Sequence, residues 1–249
     1  MELTLAKDVA AACHDDTLVV WAAQGMRGGV RAWALGEAVA VASPDLNRRD
    51  RLTVRGPSDQ VAALVRLLLP DLGPSYRLLS DRALITELAG RIPGTGPVRP
   101  FEWMDADRPP PPAETAREAD GEAGWLRDAD GEVAALLAEA APSAWAAPGL
   151  QGIRRWAGVR SSGGTLVATA ADAWSCPEVG FVAGVATDPA RRGRGYGRRV
   201  CAFVFGALVA AHGRVALMVD TDNHAAIAVY ERLGMRGRPV AALALPARP

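Results

Sequence analysis

Residues Val182 to Gly197 read VAGVATDPARRGRGYG, and the rest of the chain is organised around them. An apolar, β-rich run from Phe181 to Thr187 stops at Asp188-Pro189. Arg191, Arg192, Gly193, Arg194, Gly195, Tyr196 and Gly197 follow, and an apolar segment with helical spacing runs from Arg198 to about His212. The pattern is strand, glycine-rich turn, helix. Such a turn aims successive backbone N–H groups at one anion, and the helix start adds the positive end of its dipole. Gly193, Gly195 and Gly197 leave room for a phosphate to touch backbone, and Arg191, Arg192, Arg194 and Arg198 supply charge. The stretch is built for a pyrophosphate.

Three kinds of phosphate loop compete for it. A Walker loop needs Lys-Ser/Thr after its last glycine, where this chain has Tyr196-Gly197-Arg198. A dinucleotide fingerprint wants G-x-G-x-x-G and an acidic residue about twenty positions on; Asp220 falls near that distance, but the glycine spacing is wrong. The segment resembles the Arg/Gln-x-x-Gly-x-Gly/Ala loop of the GNAT superfamily of N-acetyltransferases, which holds the pyrophosphate of coenzyme A. A second segment strengthens the resemblance. After an apolar strand, Val215 to Val219, come Asp220-Thr221-Asp222-Asn223 and a helix carrying Ala226, Tyr230 and Leu233 before Gly234 and Met235. Asn223 or Asp222 suits an N-cap and Gly234 a C′ position. Asn-x-x-Ala-x-x-x-Tyr-x-x-x-Gly-hydrophobic is similar to the superfamily's other hallmark, and its order and separation from the first match.

The 249 residues carry zero formal net charge and 49% hydrophobic residues, enough for one large or two small domains. Neutral balance argues against a general nucleic-acid binder. Cys13, Cys176 and Cys201 are scattered and odd in number, which favours a reducing, cytoplasmic setting without a disulfide framework. The first residues, MELTLAKDVA, lack the pattern of a signal peptide, and the longest apolar run, Val200 to Ala211, is too short for a membrane span. His14, His212 and His224 form no cluster, so no metal site is expected. No Gly-x-Ser-x-Gly elbow is present.

In order along the chain, residues 1 to about 105 form a first unit. Strands are expected at Thr17–Ala22, Val30–Leu35, Glu37–Ala42, Arg51–Val54, Tyr76–Leu79 and Val98–Met104, with helices at Gln60–Leu69 and Arg82–Gly90. Gly56-Pro57-Ser58-Asp59 reads as a turn and N-cap. The order parallels an acetyltransferase core without its loop motifs, so the unit is either a degenerate, non-binding copy or an unrelated α+β cap. Residues 106–124, with Pro109 to Pro112, read as a linker. The second unit, 125–249, opens with a strand and turn at Leu126–Asp130 and a helix at Glu132–Ala140. A hairpin follows, Ile153–Arg160 with Thr165–Ala171, then the motif elements and a last strand at Val240–Leu245.

The resemblance implies an α/β (α+β) GNAT fold, a mixed and mostly antiparallel sheet with helices on both faces, in a tandem arrangement. Two central parallel strands would part to admit acetyl-CoA. It also implies the roles. Arg192, Gly193, Arg194, Gly195, Tyr196, Gly197 and Arg198 would hold the pyrophosphate, and the backbone of Val185, Ala186 and Thr187 the pantetheine arm. A backbone N–H near Val185 would meet the thioester oxygen. Asn223 and Ala226 would flank the pantetheine, and the Tyr230 hydroxyl would protonate the departing thiolate.

The general base is open. Val185, Thr187, Pro189, Arg192, Gly193 and Gly195 resemble the glycine N-acyltransferase-like subgroup, but Phe181 stands where that subgroup carries a catalytic Glu. Glu178, Asp220 and Asp222 are the nearby carboxylates, Asp222 serving equally as a cap, and a water chain or an already neutral amine serves as well. Trp145, Trp156 and Trp174 read first as core, with an acceptor pocket as their other use. The expected activity is acyl transfer to a small-molecule amine or amino acid. A protein or peptide acceptor and a catalytically silent CoA sensor are the alternatives. The expected state is a monomer with pseudo-dimeric halves or a homodimer.

Overall fold

The computed structural model describes residues 1–73, 75–112 and 121–246, so the middle of the expected linker lies outside the described residues. The first half contains β1 (Glu2–Leu3), α1 (Ala6–Ala12), α2 (Thr17–Ala23), β2 (Arg31–Leu35), β3 (Ala38–Leu46) and β4 (Arg49–Arg55). It continues through α3 (Ser58–Leu68), β5 (Arg77–Asp81), α4 (Arg82–Arg91) and β6 (Arg99–Ala106). The second half contains β7 (Ala123–Trp125), α5 (Asp130–Ala140), β8 (Ile153–Arg160), β9 (Leu166–Ala173) and β10 (Gly180–Thr187). It ends with α6 (Tyr196–His212), β11 (Val215–Val219), α7 (His224–Arg232) and β12 (Arg236–Ala244).

All strands join one 12-stranded sheet in the order β1-β2-β3-β4-β5-β12-β6-β11-β10-β9-β8-β7. The order mirrors itself about its centre, because each half sends its last strand to the other half. β12 pairs antiparallel with β5, and β6 pairs antiparallel with β11. Only β4–β5 and β10–β11 are parallel. Followed across the sheet, β4 and β10 run in opposite directions, so the start of β4 and the end of β10 share one edge. The mixed, largely antiparallel sheet with helices on both faces is as expected.

Helices α1, α2 and α5 cover one face over a single continuous core. On the other face, α3 and α4 cover the first half and α6 and α7 the second, each over its own core. The continuous core centres on three aromatics from three elements. Trp21 of α2 stacks on Phe181 of β10 at 4.5 Å between ring centroids, and Trp103 of β6 lies 5.5 Å from Trp21 and 5.9 Å from Phe181. All three are fully buried. Among the described residues no helix is long and apolar enough to cross a membrane.

Two expected elements are corrected. Thr17–Ala22 is helix, not strand. Asp16 caps it, its Oδ1 accepting the backbone N–H groups of Leu18 (3.0 Å) and Val19 (3.2 Å). Its residues from Leu18 to Ala23 are all buried, so it is apolar all round and shows no helical stripe. Asp16 Oδ2 also takes Arg55 Nη1 at 2.7 Å, and its Oδ1 takes Arg238 Nη2 at 2.8 Å, which ties α2 to β4 and β12. The strand expected at Leu126–Asp130 lies instead at Ala123–Trp125, across the boundary between the expected linker and the second unit, and pairs with β8. Asp130 is already helical, with Asp130 and Glu132 in the first turn of α5, where negative charge is favoured. The helix from Ser58 has Pro57 at its N-cap and no side-chain cap.

The exchanged strands and the shared aromatic core make the halves one cooperative unit. Phe181→Ala is expected to cost about 3–5 kcal/mol. In urea denaturation followed by tryptophan fluorescence and circular dichroism, both probes should shift together in a single transition.

Candidate active site

The site is assembled where β10 leaves its neighbours. β10 pairs with β11 only at Gly180, Phe181 and Val182, opposite Val215, Ala216 and Leu217. Beyond Val182 the two parallel strands make no further pairs, although β10 continues to Thr187 and β11 to Val219. On its other side β10 slips register against β9 between Ala183 and Ala186. Gly184 makes the slip possible. Its φ of +62° belongs to the left-handed region, and an added Cβ would lie 2.5 Å from the Trp156 ring and 3.2 Å from Ala146 Cβ. The bulge leaves the β11-facing edge of Val185, Ala186 and Thr187 open to an extended ligand.

The strand runs directly into the glycine turn. Asp188 Oδ1 accepts the Ala190 N–H at 2.8 Å and closes a single 3₁₀ turn at Pro189–Arg191. Gly193 (φ +76°) and Gly195 (φ +82°) follow with open space where a Cβ would stand. Gly195 is the N-cap of α6 and has no side chain to satisfy the helix's first N–H groups. Those donors are left for an anion. Gly197 has another reason to be glycine: a Cβ there would meet Thr187 Oγ1 at 2.9 Å, so helix and strand pack closely.

The arginines divide the work. Arg192 folds away from the turn, donating to Ala140 O (3.0 Å) and Thr187 O (3.4 Å), and so fastens the end of α5 to the loop. Arg191, Arg194 and Arg198 form no ion pair among the described residues. The Tyr196 ring is buried in the α6–α7 core, so it contributes only its backbone N–H to the turn.

α7 brings the second motif to the same gap. Asn223 Oδ1 accepts the Ala226 N–H at 3.2 Å, the expected N-cap, and Gly234 with φ +90° ends the helix. Tyr230 projects from α7 into the core beneath the gap, its ring 6.0 Å from Phe205. Burial, and then the nearby Cys201, push the Tyr230 phenol well above its ordinary value, so it keeps its proton through the neutral range.

The two carboxylates part company. Asp220 lies one residue past β11, and alternation from Ala216 and Met218 turns it toward the α5 face. It is exposed. Glu178 instead lies before β10, at the far end of the strand from the turn, close to Cys176, whose thiol is held up at about 12 chiefly by burial. The structure packs Tyr230, Ala226, Val185 and Tyr196 into one core, joins Asn223 to Asp220 through a backbone hydrogen bond, and puts Glu178 at the other end of β10. Phe181 is committed to its aromatic stack.

Gly184 is the functional position the motifs do not point to, although a lone glycine inside a strand signals a bulge. Trp156 and Trp174 are core, as first read, and Trp156 also lines a cavity of about 410 Å³ with Leu126, Asp130, Leu150 and Arg154. Trp145 is not core and remains 43% exposed. Among the described residues no group of side chains is suited to a metal ion.

Comparison with known proteins agrees with this geometry. The model of the acetyltransferase (GNAT) family matches residues 98–235, more than half of the chain. A GCN5-related N-acetyltransferase from Kribbella flavida superposes with a TM-score of 0.59 at 18% identity, over 91% of this chain and 95% of that one. A second from Sphaerobacter thermophilus gives 0.55 at 20% identity, over 98% and 94%. A GNAT-family protein from Novosphingobium aromaticivorans gives 0.52 at 24% identity, over 92% and 96%. At these identities the likeness speaks for the fold. No curated protein matches the chain.

Two outcomes follow from the geometry. Gly184→Ala should destabilise the protein by more than about 1 kcal/mol in urea denaturation, because it combines positive φ with the Trp156 contact. Tyr230 has a folded pKa raised above its unfolded value of about 10, so the stability it contributes is present below that pH and lost as pH rises beyond it. Tyr230→Phe should therefore flatten the alkaline fall in melting temperature above about pH 10.

Proposed function

This chain belongs to the GNAT family of N-acetyltransferases, and from that premise we propose that it transfers acetyl from acetyl-CoA to the primary amine of a small molecule or amino acid. Attack is direct, within a ternary complex. The observation that carries the reading is the parting of β10 from β11 beyond Val182, beside a glycine turn whose helix N–H groups have no side-chain cap.

The residues fit that group. The N–H groups from Gly193 to Gly197, with Arg194 and Arg198, suit the pyrophosphate, and the open edge of Val185–Thr187 suits the pantetheine arm. Acetyl-CoA supplies the activated carbonyl, and this chain supplies position, polarisation and proton handling. A backbone N–H at the bulge, near Val185, stabilises charge gathering on the thioester oxygen. The amine nitrogen forms a bond to the carbonyl carbon as the carbon–sulfur bond breaks. Tyr230, kept protonated by burial, gives its proton to the departing thiolate. Asp220, on the opposite face of the gap, receives the proton lost by the amine. Glu178 is not assigned this role, because it lies at the wrong end of β10.

The first half fits a degenerate copy of the second. Its strands β1–β5 occupy mirrored places in the sheet to β7–β11, and its parallel pair β4–β5 corresponds to β10–β11. Its turn, however, offers no anion cradle. Pro57 lacks an N–H, and a Cβ on Gly56 would lie 2.6 Å from Glu37 O. One acetyl-CoA per chain, in a monomer with pseudo-dimeric halves, is the arrangement this supports. The loop's likeness to the glycine N-acyltransferase-like subgroup extends to Val185, Thr187, Pro189, Arg192, Gly193 and Gly195, with Phe181 as the departure.

That departure favours a second reading, a CoA-binding protein without turnover, since Phe181 puts an aromatic stack where the subgroup's base would stand. Tyr230→Phe separates the two. Acyl transfer predicts turnover lowered about 10²-fold with the acetyl-CoA dissociation constant unchanged. Unaltered turnover would remove Tyr230 from the mechanism. Tight acetyl-CoA binding with no turnover across a broad amine panel would establish the second reading.

A further inference from the structure

At the edge of the sheet shared with the end of β10, the first half gathers cations that form no ion pair among the described residues. Arg51 of β4 lies opposite Arg77 of β5 in the parallel register, so their side chains share a face. Alternation along β4 puts Arg49 on that face too, the face covered by α2 and α5. Arg51 is only 4% exposed, and among the described residues its hydrogen bond runs from Nε to Leu46 O at 3.5 Å. Among the described residues none of Arg48, Arg49, Arg51 and Arg77 forms an ion pair. Asp50, the nearest acid in β4, alternates to the opposite face, where its Oδ1 takes the Asp45 N–H at 2.9 Å. Burial first, then Arg49 and Arg77, bring the Arg51 guanidinium down to about 10.

A buried guanidinium without a counter-charge is costly, and two further cations beside it add to the cost. Such an arrangement is stable in the company of an anion. What borders it is specific. The Trp145 ring stands 5.3 Å from the Arg49 guanidinium and 5.6 Å from that of Arg51, and Arg48 Nη1 donates to Trp145 O at 3.3 Å. The next residue, Ala146, is the one that lies against Gly184. One peptide unit therefore bridges the arginines and the bulge where the acyl group would be presented.

We propose that Arg51, Arg77 and Arg49 form an acceptor subsite for an anionic group, a carboxylate or a phosphate, so that the amine acetylated at the bulge is an acidic small molecule. Guanidinium forks pair with either oxyanion in a bidentate manner, and Trp145 packs beside the ligand's stem. The proposal rests on the reading of the Gly184 bulge as the acyl-transfer centre.

The test is calorimetric titration of the CoA-saturated protein, at fixed low ionic strength, with glutarate and with inorganic phosphate. Saturation with CoA keeps these anions off the glycine turn. Wild-type protein is expected to bind one of the two at a single site, and which one binds tells carboxylate from phosphate. Arg51→Gln and Arg77→Gln should each weaken that binding at least about 10-fold, as loss of a charge-assisted bond does, with CoA affinity unchanged. Arg77 is less buried, so its variant gives the reading even where Arg51→Gln does not fold. Absence of anion binding to a protein that binds CoA, or binding unchanged in Arg77→Gln, overturns the subsite. Absence of CoA binding overturns the acyl-transfer reading and with it the acceptor role, and an anion signal lost in Arg77→Gln would then show these arginines to be an anion site only.

Discussion

Seven residue pairs, from Arg236 opposite Asp105 to Ala242 opposite Arg99, join β12 to β6 at the middle of the sheet. Each of these strands was made by one half of the chain and completes the other. Without β12, β5 would present an open edge; without β6, β11 would. The exchange is reinforced on both sides. Arg238 of β12 donates to Asp81 at 2.7 Å and to Asp16, and Asp105 of β6 accepts from Thr17 and from Trp103 Nε1. The position of β11, and hence the gap between β11 and β10, depends on this central ladder.

Local chemistry holds the gap open. A bulge at a glycine with positive φ, wedged against Trp156, prevents β10 from continuing its register with β9. Backbone groups that a flat sheet would consume are thereby left for a ligand, and the cost of the irregularity is met by packing around it. Groups then approach from both faces. Tyr230 comes from the α6–α7 core, where burial holds its proton, and Asp220 comes from the α5 face, where it is exposed. In the mechanism proposed above the two serve as acid and base from opposite faces of the sheet, and a ligand threaded through the gap would meet both.

What could be read from the sequence was what local geometry decides. Gly193 and Gly195 announce positive φ, Asn223 announces a cap, and Gly234 an end, and each is found in that role. The sequence of α2 points to a strand because a helix buried on every side carries no periodic signal. The strand exchange left no trace, since nothing in Arg99–Ala106 or Arg236–Ala244 encodes which neighbour they choose. Arg51 reads as an ordinary arginine near a hairpin. Its burial comes from packing between distant segments, and only the folded chain brings Trp145 within 5.6 Å of it.

In the mechanism proposed above, an acyl-CoA enters the second half alone, between β10 and β11. Hydrogen–deuterium exchange with and without acetyl-CoA tests it most directly, because amides that take up a ligand's hydrogen bonds become protected. The account predicts protection concentrated in residues 183–187 and 193–198, with the equivalent turn around Gly56 unchanged. Protection at Gly56 and β4 instead, or at neither turn, would contradict it.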